Sequence, residues 1–256
     1  MNLLALVRPP TPSLQQGVRT HIDREPIDFA LALEQHARYV DALRAAGAEI
    51  VEVPPAPELP DSVFIEDTAL VLGSLAVIAR SGAESRRAET PRVADVLKRY
   101  CQLEYTHAPA TFDGGDILTV GRTVYVGRTA RTNQAAIDFL SRRLREHDHE
   151  VVPVPLSGCL HLKTAVNYLG NDTVVINPDW APPEAFARFD QIEVDAREPM
   201  GASALPVGTH LLLSSSYPRT VNRIEARGFR PRVLDLSEFH RAEGGLTCLS
   251  ILMARE

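Results

Sequence analysis

Gly244-Gly245-Leu246-Thr247-Cys248-Leu249-Ser250-Ile251-Leu252 sets one cysteine behind a Gly-Gly turn, inside a β-prone run. Three polar clusters stand upstream of it: Asp61-Ser62-Val63-Phe64-Ile65-Glu66-Asp67, Thr111-Phe112-Asp113-Gly114-Gly115-Asp116 and Leu160-His161-Leu162-Lys163. A cysteine, a histidine and several acids are the parts of a thiolate attack on a cationic carbon. The clusters are evenly spaced: Asp67 to Asp113 is 46 residues, Asp113 to His161 is 48, and His161 to Cys248 is 87, close to two such steps. The missing midpoint falls near Gly201-Ala202-Ser203-Ala204-Leu205, between two strand-forming runs. The spacing reads as five repeats of ~45 residues, each delivering its turn to a common axis. Spacing alone leaves open a mixed α/β chain whose units are unrelated.

Between the clusters, strands and helices alternate as short units. Residues 3–7 are a strand stopped by Pro9-Pro10. Residues 27–46 are a helix, with Phe29, Leu33, His36, Ala37, Val40 and Leu43 at helical spacing and Gly47 behind them. A helix over 91–100 carries its proline in the first turn, and one over 133–147 aligns Ala136, Ile137, Leu140 and Leu144. Hairpins are expected through Gly121-Arg122 and Gly170-Asn171. Residues 11–26 lack periodicity and read as a loop, long enough to be functional or mobile.

With 256 residues, 45% of them hydrophobic and 23% charged, the chain is globular and large enough for a sizeable core. A net charge of −6 without a basic run argues against nucleic acid and suits a small cation. Cys101, Cys159 and Cys248 form no Cys-x-x-Cys pair, so neither a zinc ribbon nor a redox motif is present, and a reducing compartment, the cytoplasm, is expected. The N-terminus has no basic n-region and reads as an opening strand, not a signal peptide. No run approaches the ~20 apolar residues of a membrane span.

Each candidate has an ordinary alternative. A cysteine in a β-run is usually a small buried hydrophobe, as Cys101 and Cys159 are read. Cys248 stands apart because it follows Gly244-Gly245 at the repeat interval. His161, between Leu160 and Leu162, is placed on one face of a strand; as a catalyst it would protonate a leaving amine and then deprotonate water. Glu66 and Asp67 interrupt an apolar segment, and buried acids need partners. A planar guanidinium is one such partner. Gly114-Gly115 would allow close backbone approach. Arg86 and Arg131 are either solvated charges or a carboxylate clamp. A zinc site of Asp, His and Cys matches no compact spacing.

Taken together and in order, Asp61 to Asp67, Ser85-Arg86-Arg87, Asp113-Gly114-Gly115-Asp116, Ala130-Arg131-Thr132-Asn133, Leu160 to Lys163 and Gly245-Leu246-Thr247-Cys248 resemble the dimethylarginine dimethylaminohydrolase family of the guanidine-modifying pentein superfamily. The resemblance spans nearly the whole chain. It implies a five-bladed α/β propeller with pseudo-fivefold symmetry, a single catalytic domain over 1–256, and cofactor-free hydrolysis of Nω-methylated arginines to citrulline and a methylamine. It implies Cys248 as nucleophile and His161 as general acid and base. Asp67 and Asp113 would hold the guanidinium, Asp113 within the catalytic set, with Glu66 in support. Arg86 and Arg131 would take the α-carboxylate and Asp61 the α-ammonium, with the backbone carbonyls of Val18 and Ala242 as further substrate contacts. The 11–26 loop becomes a lid. No metal is expected, the partner is a small-molecule substrate, and a homodimer is left open.

One departure separates relatives. Arginine deiminases and amidinotransferases carry His-x-Asp at the histidine turn, where this chain reads His161-Leu162-Lys163. The missing acid fits a site with room for N-methyl groups. A deiminase-like pentein acting on another guanidine, and a non-catalytic pentein that binds arginine derivatives or a metal, are the competing expectations. Asp113 stands where some relatives carry glutamate.

Overall fold

The computed structural model describes residues 2–255. Strand β1 (Asn2–Val7) runs parallel to β2 (Ala48–Glu52), with helix α1 (Phe29–Ala45) crossing between them. The Asp28 carboxylate caps α1 by accepting from Leu31 N, and Ala32, Gln35, His36, Tyr39, Ala42 and Leu43 form its buried stripe. The next unit is a hairpin of β3 (Ala69–Leu72) and β4 (Leu75–Ile78), helix α2 (Thr90–Leu97) and β5 (Gln102–Tyr105), parallel to β4. Then come β6 (Ile117–Val120), β7 (Thr123–Arg128), α3 (Gln134–Arg145) and β8 (Glu150–Pro155). Ile137, Leu140 and Leu144 of α3 are buried, each contributing on the order of 2 kcal/mol of transfer free energy.

The fourth unit opens on the one-turn helix α4 (Leu162–Ala165) and continues as β9 (Val166–Gly170), β10 (Thr173–Ile176) and β11 (Asp190–Glu193). The fifth is β12 (Ala204–Val207), β13 (His210–Ser214), α5 (Pro218–Ala226) and β14 (Arg232–Leu234). After the short α6 (Ser237–His240), β15 (Ser250–Arg255) returns to pair antiparallel with β1, from Asn2 opposite Arg255 to Val7 opposite Ser250. Among the described residues there are five sheets of three strands, the first antiparallel to the second and the second parallel to the third. This is the five-bladed α/β propeller that the family resemblance implies, and it agrees with the five-repeat spacing. The Tyr39 hydroxyl and Ser250 Oγ, 2.7 Å apart, tie α1 to the closing strand.

Four of the five inner strands grow from the same device. A single helical turn precedes each, and the strand's first N–H bonds back to it. Ala69 N donates to Glu66 O, Ile117 N to Gly114 O, Val166 N to Leu162 O and Ser250 N to Thr247 O. Cys248 therefore lies in the 3-10 turn Thr247–Leu249, and β15 begins only at Ser250. His161 is likewise no strand residue: it is the extended residue that caps α4. The sequence expectation placed both inside strands. One turn is too short for helical periodicity, and flanking leucines imitate a strand.

Candidate active site

The turns deliver their polar residues to the axis. Asp67 comes from the 3-10 turn Ile65–Thr68, Asp113 from the residue before Gly114–Asp116, His161 from the cap of α4 and Cys248 from Thr247–Leu249. Gly114 and Gly115 allow this convergence. A Cβ on Gly114 would stand 2.0 Å from Glu66 O, and one on Gly115 would stand 2.6 Å from His161 Nδ1. No side chain fits at either position.

Val18, Asp61, Asp67, Arg86, Arg131 and Ala242 line a cavity of about 20 Å³ that also reaches His161 and Cys248. Asp67 Oδ1 accepts from Gly115 N at 2.9 Å, and its Oδ2 accepts from Arg86 at 2.5 Å. Arg86 is buried and also donates to Glu89 and to the carbonyls of Asp61 and Phe64. Burial opposes its charge, but Glu89 and Asp67 more than offset this and hold the guanidinium charged. Arg131 makes one side-chain bond among the described residues, to Asp113 Oδ2 at 3.1 Å. It keeps more of its donors for a ligand than Arg86 does. Both Asp61 carboxylate oxygens accept from Val18 N, at 3.0 and 3.2 Å.

Two of the expected residues do not line this cavity. Asp113 is 0% exposed; Oδ1 accepts from Ser81 Oγ at 2.7 Å, and Oδ2 lies 3.3 Å from His161 Nε2. Glu66 points to the axis and pairs with Lys163 Nζ at 2.6 Å. Burial raises the Glu66 carboxyl, and Lys163 opposes that rise. Lys163, standing where deiminases carry an acid, is thus itself neutralised by an acid from another unit.

The carboxylates around the two reactive groups act in the same sense, favouring the protonated form of each, while burial acts on them in opposite senses. Burial disfavours an imidazolium at His161, but Asp67, the hydrogen bond to Asp113 and Asp116 together raise it to about 9. Burial first, then Glu66 and Asp67, push the Cys248 thiol up to about 12. A neutral thiol beside an imidazolium is the resting pair at neutral pH.

Comparison with known proteins agrees with this geometry. Residues 15–186 match the family model described as N,N dimethylarginine dimethylhydrolase, eukaryotic. The N(G),N(G)-dimethylarginine dimethylaminohydrolase of Streptomyces coelicolor is 44% identical over 250 residues, covering 96% of this chain and 95% of that protein. The protein of the same name from Pseudomonas aeruginosa is 35% identical, covering 96% and 97%. The chain belongs to the dimethylarginine dimethylaminohydrolase family. A solved dimethylarginine dimethylaminohydrolase, a histidine-to-glycine variant carrying an adduct with S-methyl-L-thiocitrulline, superposes with a TM-score of 0.94 at 33% identity, over 99% of this chain and 100% of that one.

Four residues in contact with the candidate site or the 11–26 segment carry no assigned role in the sequence reading. Asp116, 0% exposed, accepts from Thr129 Oγ1, Thr132 Oγ1 and Leu162 N, and so fixes the histidine turn. Burial raises its carboxyl to about 6. Glu89 holds Arg86 from three residues away, and Ser81 holds Asp113. Glu243, at φ +60, accepts from Thr20 N at 2.6 Å and His21 N at 2.7 Å. The spacing of Arg86 and Glu89 was the one readable signal; the others emerge only from tertiary contact. Among the described residues, Asp67, Asp113 and His161 bring potential metal-ligand atoms within 4.8 Å of one another. A metal needs neutral imidazole, which the raised His161 resists. No helix among the described residues is long and apolar enough to cross a membrane.

Proposed function

We propose that this protein hydrolyses Nω-methylated arginines to citrulline and methylamine or dimethylamine, with Cys248 as nucleophile. The observation that carries the reading is one cavity whose lining brings a thiol, a charged histidine, Asp61 and Asp67 together with Arg86 and Arg131. Those groups match the chemistry of an arginine derivative: acids for its guanidinium and α-ammonium, arginines for its α-carboxylate. Arg131, with Arg86 beside it, takes the α-carboxylate. Asp61 and the carbonyls of Val18 and Ala242 take the α-ammonium. Asp67 holds the guanidinium. Asp113 acts as a positioning residue through His161 and Arg131.

In the proposed reaction the bound guanidinium lowers the field that keeps Cys248 protonated. The Cys248 proton passes to solvent, because His161 already carries its own, and the thiolate attacks the guanidinium carbon. His161 gives its proton to the methylated nitrogen, the C–N bond breaks and the amine leaves. A thiouronium remains on Cys248. Neutral His161 then takes a proton from water, the hydroxide adds to the same carbon, and the C–S bond breaks to release citrulline. Residues 11–26 act as a lid, pinned by Asp61 and Glu243. Lys163, already paired with Glu66, offers no carboxylate to grip an unsubstituted nitrogen, which favours methylated substrates over arginine. The three free cysteines support placement in the cytoplasm.

The test is citrulline formation from asymmetric dimethylarginine, monomethylarginine and arginine, each supplied separately. Methylated substrates are expected to be turned over at least tenfold faster than arginine, with no turnover by Cys248→Ser. Preference for arginine would favour the deiminase-like alternative, and a Cys248→Ser protein of near-native rate would overturn the mechanism.

A further inference from the structure

His161, Leu160, Glu243 and Cys248 line a second cavity as well as the first, so they stand between the two. The second cavity is larger, about 90 Å³ against about 20 Å³. Its outer walls come from units that contribute nothing to the amino-acid end: Trp180 after β10, Met200 before β12 and Tyr217 before α5. Those walls are fixed. Trp180 lies against Gly158, where a Cβ would stand 2.9 Å from the indole. The Tyr217 ring packs on His240 with centroids 5.2 Å apart. His240 is held from both sides, with Nδ1 3.0 Å from Gly244 O and Nε2 2.7 Å from Ser214 Oγ, and burial keeps it neutral. The charged groups at the rim, Lys163 and Glu243, are engaged by Glu66 and by the lid.

With the amino-acid end of the substrate in the smaller cavity and its guanidinium at Cys248, the substituents on the far nitrogen project into the larger one. At roughly 10–15 Å³ per water-sized group, that cavity has space for about six of them. Two methyl groups leave most of it unfilled, and its surface of indole, phenol and thioether suits alkyl groups and an alkylammonium product. We infer that the cavity walled by Trp180, Met200 and Tyr217 is an N-substituent pocket, and that the protein also hydrolyses Nω-alkylarginines carrying groups larger than methyl, such as ethyl and propyl. The step is the same as for the methylated substrate, on which this inference rests. The C–N bond to the alkyl-bearing nitrogen breaks, His161 supplies the proton, and water supplies the oxygen of citrulline and restores that proton.

The experiment measures kcat/KM of the full chain for Nω-methyl-, Nω-ethyl- and Nω-propyl-L-arginine, with Met200→Trp to fill the pocket and Met200→Ala to widen it. Ethyl and propyl substrates are expected within tenfold of methyl. Met200→Trp should lower the propyl-to-methyl ratio at least tenfold, and Met200→Ala should keep or raise it. Turnover of the methyl substrate with silence on propyl, or a ratio that Met200→Trp does not move, would overturn the pocket assignment alone. Silence on the methyl substrate as well would overturn the parent reading of the site and this inference with it.

Discussion

Cys248 and His161 share one tuning carboxylate, Asp67. With Asp113 and Asp116 it favours the proton on the histidine, and behind burial and Glu66 it also favours the protonated thiol. A thiol raised to about 12 has little thiolate at neutral pH, and the thiolate is the reactive form. Alkylation of ligand-free protein by iodoacetamide, with Cys248→Ser subtracted as background, is expected to climb steadily with pH and show no plateau below about pH 9. A plateau between pH 6 and 7 would mean that the thiol is already ionised at rest, and the proposed order of events would need reversing. The two oxygens of Asp113 are engaged by Ser81, Gly82, Arg131 and His161.

At the scale of elements, the segment over 11–26 is held by two acids, Asp61 at Val18 and Glu243 at Thr20 and His21. Glu243 receives the Thr20 and His21 N–H groups, while Arg19 Nε donates to Arg241 O at 2.8 Å. Hydrogen bonds to a charged group contribute about 1.5–3 kcal/mol each when sheltered, and less at an exposed loop. Glu243→Ala is expected to raise KM for methylated arginine about tenfold and to speed proteolytic cleavage within 17–26 by a similar factor, with unchanged far-UV circular dichroism. Unaltered cleavage would show that the loop is held elsewhere. Glu243 was not legible beforehand, because its neighbours Gly244-Gly245 suggest only a turn. Much else was legible. The stripes of α1 and α3, the hairpins at Gly121 and Gly170, and the even spacing of Asp67, Asp113 and His161 carry physical periodicities that survive in one dimension. The missed elements are those without a period. β5 is four residues, Gln102–Tyr105, with no fully buried member, and β12 contains Pro206. The turns bearing Cys248 and His161 are single, so their hydrogen-bond device shows only once the inner strands are placed.

The whole molecule is a ring whose two ends meet in one sheet. β1 completes its pairing only when β15 arrives, so the contacts that close the ring join residues nearly the full chain length apart. The entropy of closing a loop grows only slowly with its length, so this arrangement is tolerable for stability. Folding rate responds differently, since contacts between distant residues slow the search for the native state. Cys248 sits two residues before β15, on the segment that docks to finish the ring. In refolding from denaturant, recovery of citrulline-forming activity is expected to lag behind recovery of far-UV circular dichroism, and to coincide with burial of the Cys248 thiol from labelling. Activity returning in step with the earliest ellipticity would mean that the site assembles before the ring closes. Otherwise, a chain caught part-way through folding holds its blades and most of its binding residues but leaves its thiol outside their combined field. Catalysis then switches on with the final kinetic step, and partly folded chains stay chemically silent toward the methylarginine pool.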